Sequence, residues 1–222
     1  MKKRYLAELV GTFFIVFAPI SISADSGLLI AAIASGFPVL AMIYALGGIS
    51  AAHFNPAVTF AFALTKRFSW KHVVPYWLAQ MTGTVLAASL AYLIFGKPIG
   101  AHIPHSPELI GRNLGIEITI SAMLMFVIMS VATDKRVNAA IPAIAIGLVV
   151  VVGVLIGGPV TGGSMNPARS FGPALVTGGA ALANYWLYVV GPMIGASIAA
   201  LLFEAVRLEP EHAKSAPDLM PK

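Results

Sequence analysis

The sequence predicts an all-α membrane protein with six transmembrane helices, two half-helices and an inverted 3+3 internal repeat. Three observations lead to this class. Hydrophobic residues make up 58% of the chain and charged residues 10%, whereas soluble proteins carry about 25% charged residues. Six apolar stretches reach the roughly 20 residues that a helix needs to cross a bilayer. The tripeptide Asn-Pro-Ala occurs twice, at 55–57 and 166–168, and the two copies are separated by half the length of the chain.

The six apolar stretches are predicted as transmembrane helices near residues 5–22, 28–49, 73–95, 114–131, 139–156 and 182–206. Two shorter apolar segments, 55–64 and 166–176, are too short to cross and follow the second and fifth spans. Short interrupted segments at matching positions of two repeats indicate a site at the bilayer midplane.

The chain is predicted to form one transmembrane domain over residues 1–208, with repeat one at about 5–95 and repeat two at about 112–206. A polar tail, 209–222, is expected to be disordered. The first segment has a second interpretation as a signal peptide, because a basic start precedes an apolar run and small residues. Glu8 within that run, and the loss of the repeat on cleavage, argue against it.

The basic residues predict the orientation in a plasma or inner membrane. If the N-terminus is cytoplasmic, eleven of the 14 Lys and Arg residues fall on the cytoplasmic side, Lys97 and Arg112 fall outside, and Arg169 lies in the second short segment. Both termini are therefore expected in the cytoplasm, and three spans per half make the second half inverted. The net charge of +5 is spread thinly, so membrane lipid is expected as a partner and nucleic acid is not.

Each Asn-Pro-Ala copy is predicted to begin a short helix, because Asn is a preferred N-cap and Pro a preferred first helical residue. The residues are Asn55, Pro56 and Ala57 in the first copy and Asn166, Pro167 and Ala168 in the second. Asn also carries amide N–H groups that can donate to a molecule in a channel. Two opposed half-helices would place both amides and both positive dipole ends at the midplane, where they favour neutral molecules and repel cations and protons. An ordinary N-cap without a transport role is the alternative.

Glu8 and Glu117 are ionisable residues inside the first and fourth spans. We interpret them as structural buried acids that accept hydrogen bonds from the backbone where each short helix begins; a proton or cation relay is the alternative. The Tyr-Trp-Leu triplets at 76–78 and 185–187 repeat at the same offset as these two acids. This predicts that Tyr185 in span six corresponds to Tyr76 in span three.

The residues before each motif are mostly small and are predicted to line a narrow passage with their carbonyl oxygens. They are Ala51, Ala52, His53, Gly162, Gly163 and Ser164. His53 is expected to fix its loop through side-chain hydrogen bonds. His102 and His105 form an H-x-x-H pair, but two histidines without further ligands are weak support for a metal. We expect a solvated loop there and no metal site.

Arg169 directly follows the second motif, where the first motif has Val58. A buried Arg without a partner is unfavourable, so in a wet pore it would donate hydrogen bonds to solutes and repel cations. An Arg held by loop carbonyls for structure alone is the alternative.

Motifs over nearly the whole chain resemble those of the aquaporin, or major intrinsic protein, family. They are A-E-x-x-G-T at 7–12, H-F-N-P-A-V-T at 53–59 and G-G-S-M-N-P-A-R-S at 162–170. The resemblance implies an aquaporin-like fold and a homotetramer with a pore in each protomer. It also implies passive, bidirectional permeation of water or small uncharged solutes, with no enzymatic activity and no cofactor.

The family's selectivity constriction uses four positions, which the resemblance places at Ser35, Val154, Gly163 and Arg169. Water-selective members have an aromatic residue and a His at the first two, and typical glycerol channels have two aromatics. Here the first and third residues are small, so the constriction is expected to be wide apart from Arg169.

The stretch 154–170 is most similar to the plant nodulin-like branch of the family and its bacterial relatives. Members of that branch pass glycerol, urea or neutral metalloid hydroxides such as boric, silicic and arsenous acid. The plant members usually have longer termini, so the short termini here favour a prokaryotic source.

The predicted function is therefore a passive channel for small neutral solutes and water that excludes protons and ions. A water-selective aquaporin is the first alternative. A secondary transporter also has inverted repeats and broken helices, but it needs a coupling carboxylate, and only Glu8 and Glu117 lie deep enough. A scaffold without transport would give no flux above that of empty liposomes. No Ser/His/Asp set or metal cluster is apparent in the spans, so an enzyme is not expected.

Overall fold

The computed structural model describes residues 1–22, 24–96, 101–133, 137–138 and 140–207. The tail predicted over 209–222 lies outside these residues. Within them the regular secondary structure is entirely helical, without a strand. The α-helices are, in chain order, α1 (Lys2–Ile20), α2 (Gly27–Ser50), α3 (Pro56–Leu64), α4 (Val73–Phe95), α5 (Ile110–Thr133), α6 (Ile141–Thr161), α7 (Pro167–Thr177), α8 (Gly179–Ala183) and α9 (Leu187–Val206).

The six long helices correspond to the six predicted spans, and α3 and α7 correspond to the two predicted half-helices. The sixth span differs from its predicted bounds of 182–206, because α8 ends at Ala183 and α9 begins only at Leu187. Asn184 is the C-cap of the short helix, and the main-chain N–H groups of Tyr185 and Leu187 then donate only three residues back, to the carbonyl oxygens of Leu182 and Asn184.

Among the described residues, five helical segments are long and apolar enough to cross a membrane: Gly27–Ser50, Trp70–Phe95, Ile110–Thr133, Ile141–Thr161 and Gly179–Val206. Helix α1 is not among them, because Lys2, Lys3, Arg4 and Glu8 all lie in its 19 residues. Large apolar side chains on the outer surface remain exposed, with Leu78 at 64% and Leu93 at 78%. Such a surface is expected where lipid replaces water as the solvent.

The helices pack as two equivalent sets. In the first half α1 packs on α2 and α4, and in the second half α5 packs on α6 and α9. The half-helices exchange partners: α3 packs on α9 of the second half, and α7 packs on α4 of the first. Contacts between α2 and α6 close the arrangement. The half-helices are therefore enclosed between the two sets of long helices.

Small residues allow the long helices to pack closely. A Cβ on Gly83 of α4 would overlap the carbonyl oxygen of Leu9 on α1, and a Cβ on Gly195 of α9 would overlap that of Ile118 on α5. Gly83 with Ala87 and Gly191 with Gly195 have the small-xxx-small spacing of close helix packing, and these backbone contacts lie at that spacing.

Two buried tyrosines correct the expected correspondence between spans three and six. The Tyr76 hydroxyl donates to the Ser50 carbonyl oxygen at 2.8 Å, and the Tyr188 hydroxyl donates to that of Thr161 at 2.7 Å. Since Ser50 and Thr161 end the equivalent helices α2 and α6, the counterpart of Tyr76 is Tyr188. The pairing of Tyr76 with Tyr185, predicted from the Tyr-Trp-Leu triplets, is wrong, because the turn between α8 and α9 moves the register of the last helix.

Candidate permeation site between the half-helices

Both Asn-Pro-Ala motifs cap a half-helix. Asn55 and Asn166 have extended backbones, and their side-chain oxygens accept hydrogen bonds from the first helical turn. The Asn55 oxygen accepts from the N–H of Ala57 at 2.9 Å. The Asn166 oxygen accepts from the N–H groups of Ala168 at 2.9 Å and of Arg169 at 3.3 Å. Each half-helix therefore begins at its motif, with its positive dipole end there.

The two motifs are bound to each other through the same asparagines. Asn55 Nδ2 donates to the carbonyl oxygen of Met165 at 2.9 Å, and Asn166 Nδ2 donates to that of Phe54 at 2.9 Å. Each acceptor directly precedes the other Asn, so the bonds are reciprocal and hold the half-helices N-terminus to N-terminus. An amide has two N–H donors. One of them is used in this link, and the second can serve a molecule beside the motif.

Glu8 accepts four hydrogen bonds around the first motif. Its carboxylate accepts from Ser50 Oγ at 2.7 Å, from the main-chain N–H groups of His53 at 3.0 Å and Phe54 at 2.7 Å, and from Gln80 Nε2 at 2.8 Å. Its side chain is fully buried. All four neighbours donate, and an ionised carboxylate is the form that can only accept.

Glu117 occupies the equivalent place around the second motif. It accepts from Thr161 Oγ1 at 2.7 Å, from the N–H of Ser164 at 2.9 Å and from the N–H of Met165 at 3.0 Å. This geometry matches the interpretation of both acids as acceptors for the loops.

The loops before the motifs have a left-handed backbone, which turns successive carbonyl groups. Positive φ angles occur at Ala51 (68°), Ala52 (51°) and Phe54 (48°) in the first loop. The second loop has them at the three corresponding positions, 162, 163 and 165. Non-glycine residues rarely adopt this conformation. The hydrogen bonds to the two buried acids stabilise it.

Arg169 is held on two sides. Its Nη1 donates to the carbonyl oxygens of Gly163 at 2.6 Å and Ser164 at 3.2 Å, and its Nη2 donates to Ser35 Oγ at 2.8 Å. The hydroxyl of Ser35 in turn donates to the carbonyl oxygen of Ala31 at 2.7 Å. Arg169 is 8% exposed, and its buried Nε has no hydrogen-bond partner among the described residues.

Val154 and Gly163 lie together beside this cluster. A Cβ on Gly163 would lie 3.1 Å from the Cα of Val154, so α6 and the loop are in backbone contact. Ser35 and Arg169 are among the residues that line the central cavity, and Val154 and Gly163 are not. One turn earlier on α6, Val150 lines it. Three of the four predicted constriction residues thus meet around the guanidinium group, and Val154 lies against Gly163.

A cavity of about 100 Å³ passes both motifs. A buried water needs about 10–15 Å³ by this measure, so several waters fit. The wall of the cavity is mostly apolar. The polar groups among the residues that line it belong to Ser35, Ala51, Ala52, His53, Asn55, Ser164, Asn166 and Arg169. Gly162 is absent from the lining. Within the described part of the chain, no carboxylate lines this cavity, and its ionisable lining residues are His53 and Arg169.

The two loop histidines differ from each other in exposure. His102 is 6% exposed, and its Nδ1 lies 2.9 Å from Ser170 Oγ, whereas His105 is exposed. The expectation of a solvated 101–109 loop is therefore wrong at His102, because the imidazole finds a buried hydroxyl as partner. Among the described residues, no cluster of three or more His, Cys, Asp or Glu side chains is placed to hold a metal ion.

Several polar residues around the motifs were missed from sequence. Gln80 bonds both Glu8 and Thr59, and Ser170 bonds Ser164 at 2.5 Å. Thr59 and Ser170 stand four residues after the two motif asparagines, so the repeat itself offered a signal for them. Gln80 offered only its polarity within an apolar span.

Two opposed half-helices that meet beside a cavity, enclosed by long apolar helices, are the arrangement of a membrane channel. A family model described as "MIP: Major intrinsic protein" matches residues 1–203. The chain belongs to the major intrinsic protein family.

Similar proteins agree with this assignment. The chain is 44% identical over 218 residues to "Aquaporin NIP1-1" of Zea mays, covering 92% of this chain and 75% of that protein. It is 39% identical over 215 residues to "Probable aquaporin NIP4-2" of Arabidopsis thaliana, covering 93% and 75%. The X-ray structure of the aquaglyceroporin from Plasmodium falciparum has a TM-score of 0.83 at 19% identity, covering 92% and 96%, which shows a shared fold.

The chain is therefore an integral, multi-pass membrane channel of this family, and not an enzyme. The resemblance to the nodulin-like branch is confirmed by these NIP-type relatives. Both are plant proteins, so they give no support to the prokaryotic source expected from the short termini.

Proposed function

We propose that this channel passes glycerol, urea or neutral metalloid hydroxides such as arsenous, boric and silicic acid, together with water, and excludes protons and ions. The observation that carries the proposal is the pair formed by Ser35 and Arg169. A small hydroxyl stands opposite the guanidinium group and binds it at 2.8 Å. An aromatic ring at this position would fill the space beside Arg169, and Ser35 leaves it open.

The cavity wall supports the choice of neutral polyhydroxy solutes. Its lining combines apolar residues, among them Ile15, Val39 and Val58, with Asn amides, loop carbonyls and Arg169. A solute with a carbon or metalloid centre and several hydroxyl groups can contact both kinds of group. A bare cation would lose its hydration shell without a carboxylate to replace it.

Exclusion of protons is supported by the opposed half-helix termini. Both positive dipole ends and the Arg169 guanidinium group face the same passage, which disfavours an additional positive charge there. The two asparagines can donate to the oxygen of a central water and so orient its hydrogens outward, in opposite directions.

Two alternatives remain distinguishable. A water-selective aquaporin would conduct water without the solutes. A secondary transporter is disfavoured because neither Glu8 nor Glu117 lines the cavity and each already accepts three or more hydrogen bonds.

We also propose that the channel is a single domain over 1–208, a homotetramer with one pore per protomer, in a plasma or inner membrane with both termini in the cytoplasm. The similar surroundings of Glu8 and Glu117 support the two-repeat organisation, and the apolar, exposed outer helix faces offer surface for lipid and for neighbouring protomers.

Stopped-flow light scattering on proteoliposomes tests the proposed solutes. Glycerol and urea flux above that of empty liposomes is expected for the wild type. Ser35→Trp should narrow the passage beside Arg169 and reduce glycerol flux more than water flux. Ser35→Ala is the matched control, since it removes the hydroxyl but stays small, and it should retain glycerol flux. Water flux without solute flux in the wild type would refute the proposal.

A further inference from the structure

The first half of the protein carries a buried imidazole beside its motif. His53 stands two residues before Asn55, and its Nδ1 lies 3.1 Å from Thr59 Oγ1. Its ring centroid is 5.2 Å from that of Tyr76. The corresponding residue of the second half is Ser164, two residues before Asn166, so the second motif has no imidazole of its own.

A histidine from outside both motifs occupies the corresponding place in the second half. His102 belongs to the loop before α5, yet its Nδ1 lies 2.9 Å from Ser170 Oγ, and Ser170 is the counterpart of Thr59. Its ring centroid is 5.5 Å from that of Tyr188, the counterpart of Tyr76. A Cβ on Gly162 would lie only 2.8 Å from the His102 ring, so the ring is seated against the pore loop itself.

We propose that His102 is a positioning residue of the selectivity constriction, which supplies from the connecting loop the imidazole that the second half lacks. It acts through Ser170 and Ser164 on the carbonyl groups that hold Arg169.

The directions of the hydrogen bonds support this role. The Ser164 hydroxyl donates to the Asn166 carbonyl oxygen at 3.0 Å. Ser170 must then donate to Ser164 across their 2.5 Å contact, because a hydroxyl has one hydrogen. The remaining bond requires the Nδ1–H of His102 as donor to Ser170. In the first half the Thr59 hydroxyl donates to the Asn55 carbonyl oxygen at 3.0 Å, which assigns the same donor nitrogen to His53.

The connection to Arg169 is short. Ser164 is fixed by Glu117 through its main-chain N–H and by Ser170 through its hydroxyl, and its carbonyl oxygen accepts from Arg169 Nη1 at 3.2 Å. Removal of His102 leaves Ser170 without its donor and opens a space beside Gly162. The loop carbonyls can then shift, and the guanidinium group gains freedom to move into the passage.

The 101–109 loop is anchored so that it can act in this way. The main-chain N–H of His105 donates to the carbonyl oxygen of Val160 at 3.0 Å, and the Asn113 amide donates to that of Ser106 at 2.8 Å. The side chain of His105 is exposed. His105→Ala is therefore a matched control, because it removes an imidazole from the same loop and keeps the anchoring bond.

The test compares glycerol and water permeability of the intact channel in proteoliposomes; it rests on the proposed solute permeation. His102→Ala is expected to lower the ratio of glycerol to water permeability at least about threefold, the order of one lost hydrogen bond. His102→Asn, whose amide can donate from near the Nδ1 position, should restore much of the ratio. His105→Ala should leave the ratio unchanged.

If His102→Ala does not fold, Ser170→Ala tests the same hydrogen bond between His102 and Ser170 from the other side. It should lower the ratio similarly, and the double variant should be no worse than either single variant, since both remove one interaction. Additive effects, equal losses of water and glycerol flux, or a wild-type ratio in His102→Ala would each overturn the inference. If the wild type passes no glycerol, the proposed function fails instead, and the same non-additivity is then measured in water permeability.

Discussion

Replacement of Glu8 by Gln tests whether the buried acids hold the pore loops. The carboxylate accepts four hydrogen bonds, two on each oxygen. A Gln side chain presents N–H groups where one oxygen stood, so the main-chain N–H of His53 or Phe54 then faces another donor, and the bond from Ser50 or Gln80 to the same oxygen must break or reverse. Hydrogen bonds to charged groups contribute about 1.5–3 kcal/mol each, which gives a loss of roughly 3 kcal/mol or more. For a chain of this length, 3 kcal/mol corresponds to about 6–12 °C in Tm.

The assay is thermal unfolding of the detergent-solubilised protein, with water permeability measured on the same preparations. Glu204→Gln is the matched control, since Glu204 pairs with Arg67 and Arg207 at a partly exposed site. Exposed ion pairs contribute about 0–1 kcal/mol, so its Tm should change by only a few degrees. If Glu8→Gln matched Glu204→Gln in Tm and kept wild-type water permeability, the carboxylate would not be holding the loop. Proton-coupled flux lost in Glu8→Gln would revive the relay interpretation.

Two further changes test the packing and the buried loop histidine. Gly195→Leu should destabilise by roughly 3 kcal/mol or more, since its side chain would overlap the α5 main chain; Gly48→Leu, with open space beside it, is the control in the same Tm assay. Burial, and to a lesser extent the Arg169 charge, lowers the pKa of His102 well below its ordinary value of 6.5. The His102 imidazole faces Arg169 and the Tyr188 ring, so the folded protein excludes its charged form whereas the unfolded chain binds the proton. As the pH falls from 6.5 to 5.5, the free energy of unfolding of the wild type should therefore decrease by about 1 kcal/mol more than that of His102→Asn. If the free energy of unfolding changed equally with pH in the two proteins, a buried, neutral His102 would be contradicted.

The helices and their N-caps could be predicted because the signals are local. Apolar length gave the spans, and Asn followed by Pro gave the start of each half-helix. Glu8 and Glu117 could be assigned as loop acceptors because the repeat places each at nearly the same distance from its motif. The register of span six could not be predicted, since it depends on a turn at Asn184 that shifts the last helix without changing the composition.

The contacts that shape the constriction could not be predicted from the residues alone. The bond between Arg169 and Ser35 joins residues 134 positions apart. His102 reaches Ser170 across 68 positions, from a loop whose polarity indicated solvent. In both cases the decisive fact is a tertiary distance, and a polar residue in a loop or span has the same sequence signature whether its partner is water or a buried hydroxyl.

A flux panel on the wild-type protein in one preparation of proteoliposomes tests the central claim most directly. Water, glycerol, urea and arsenous acid would be compared with empty liposomes, with internal pH recorded by a trapped dye. A passive channel with the open constriction of Ser35 and Arg169 predicts non-saturating flux of water and of at least one of the three solutes, without any proton movement. Water flux alone, or solute flux that saturates and requires a proton gradient, would contradict it.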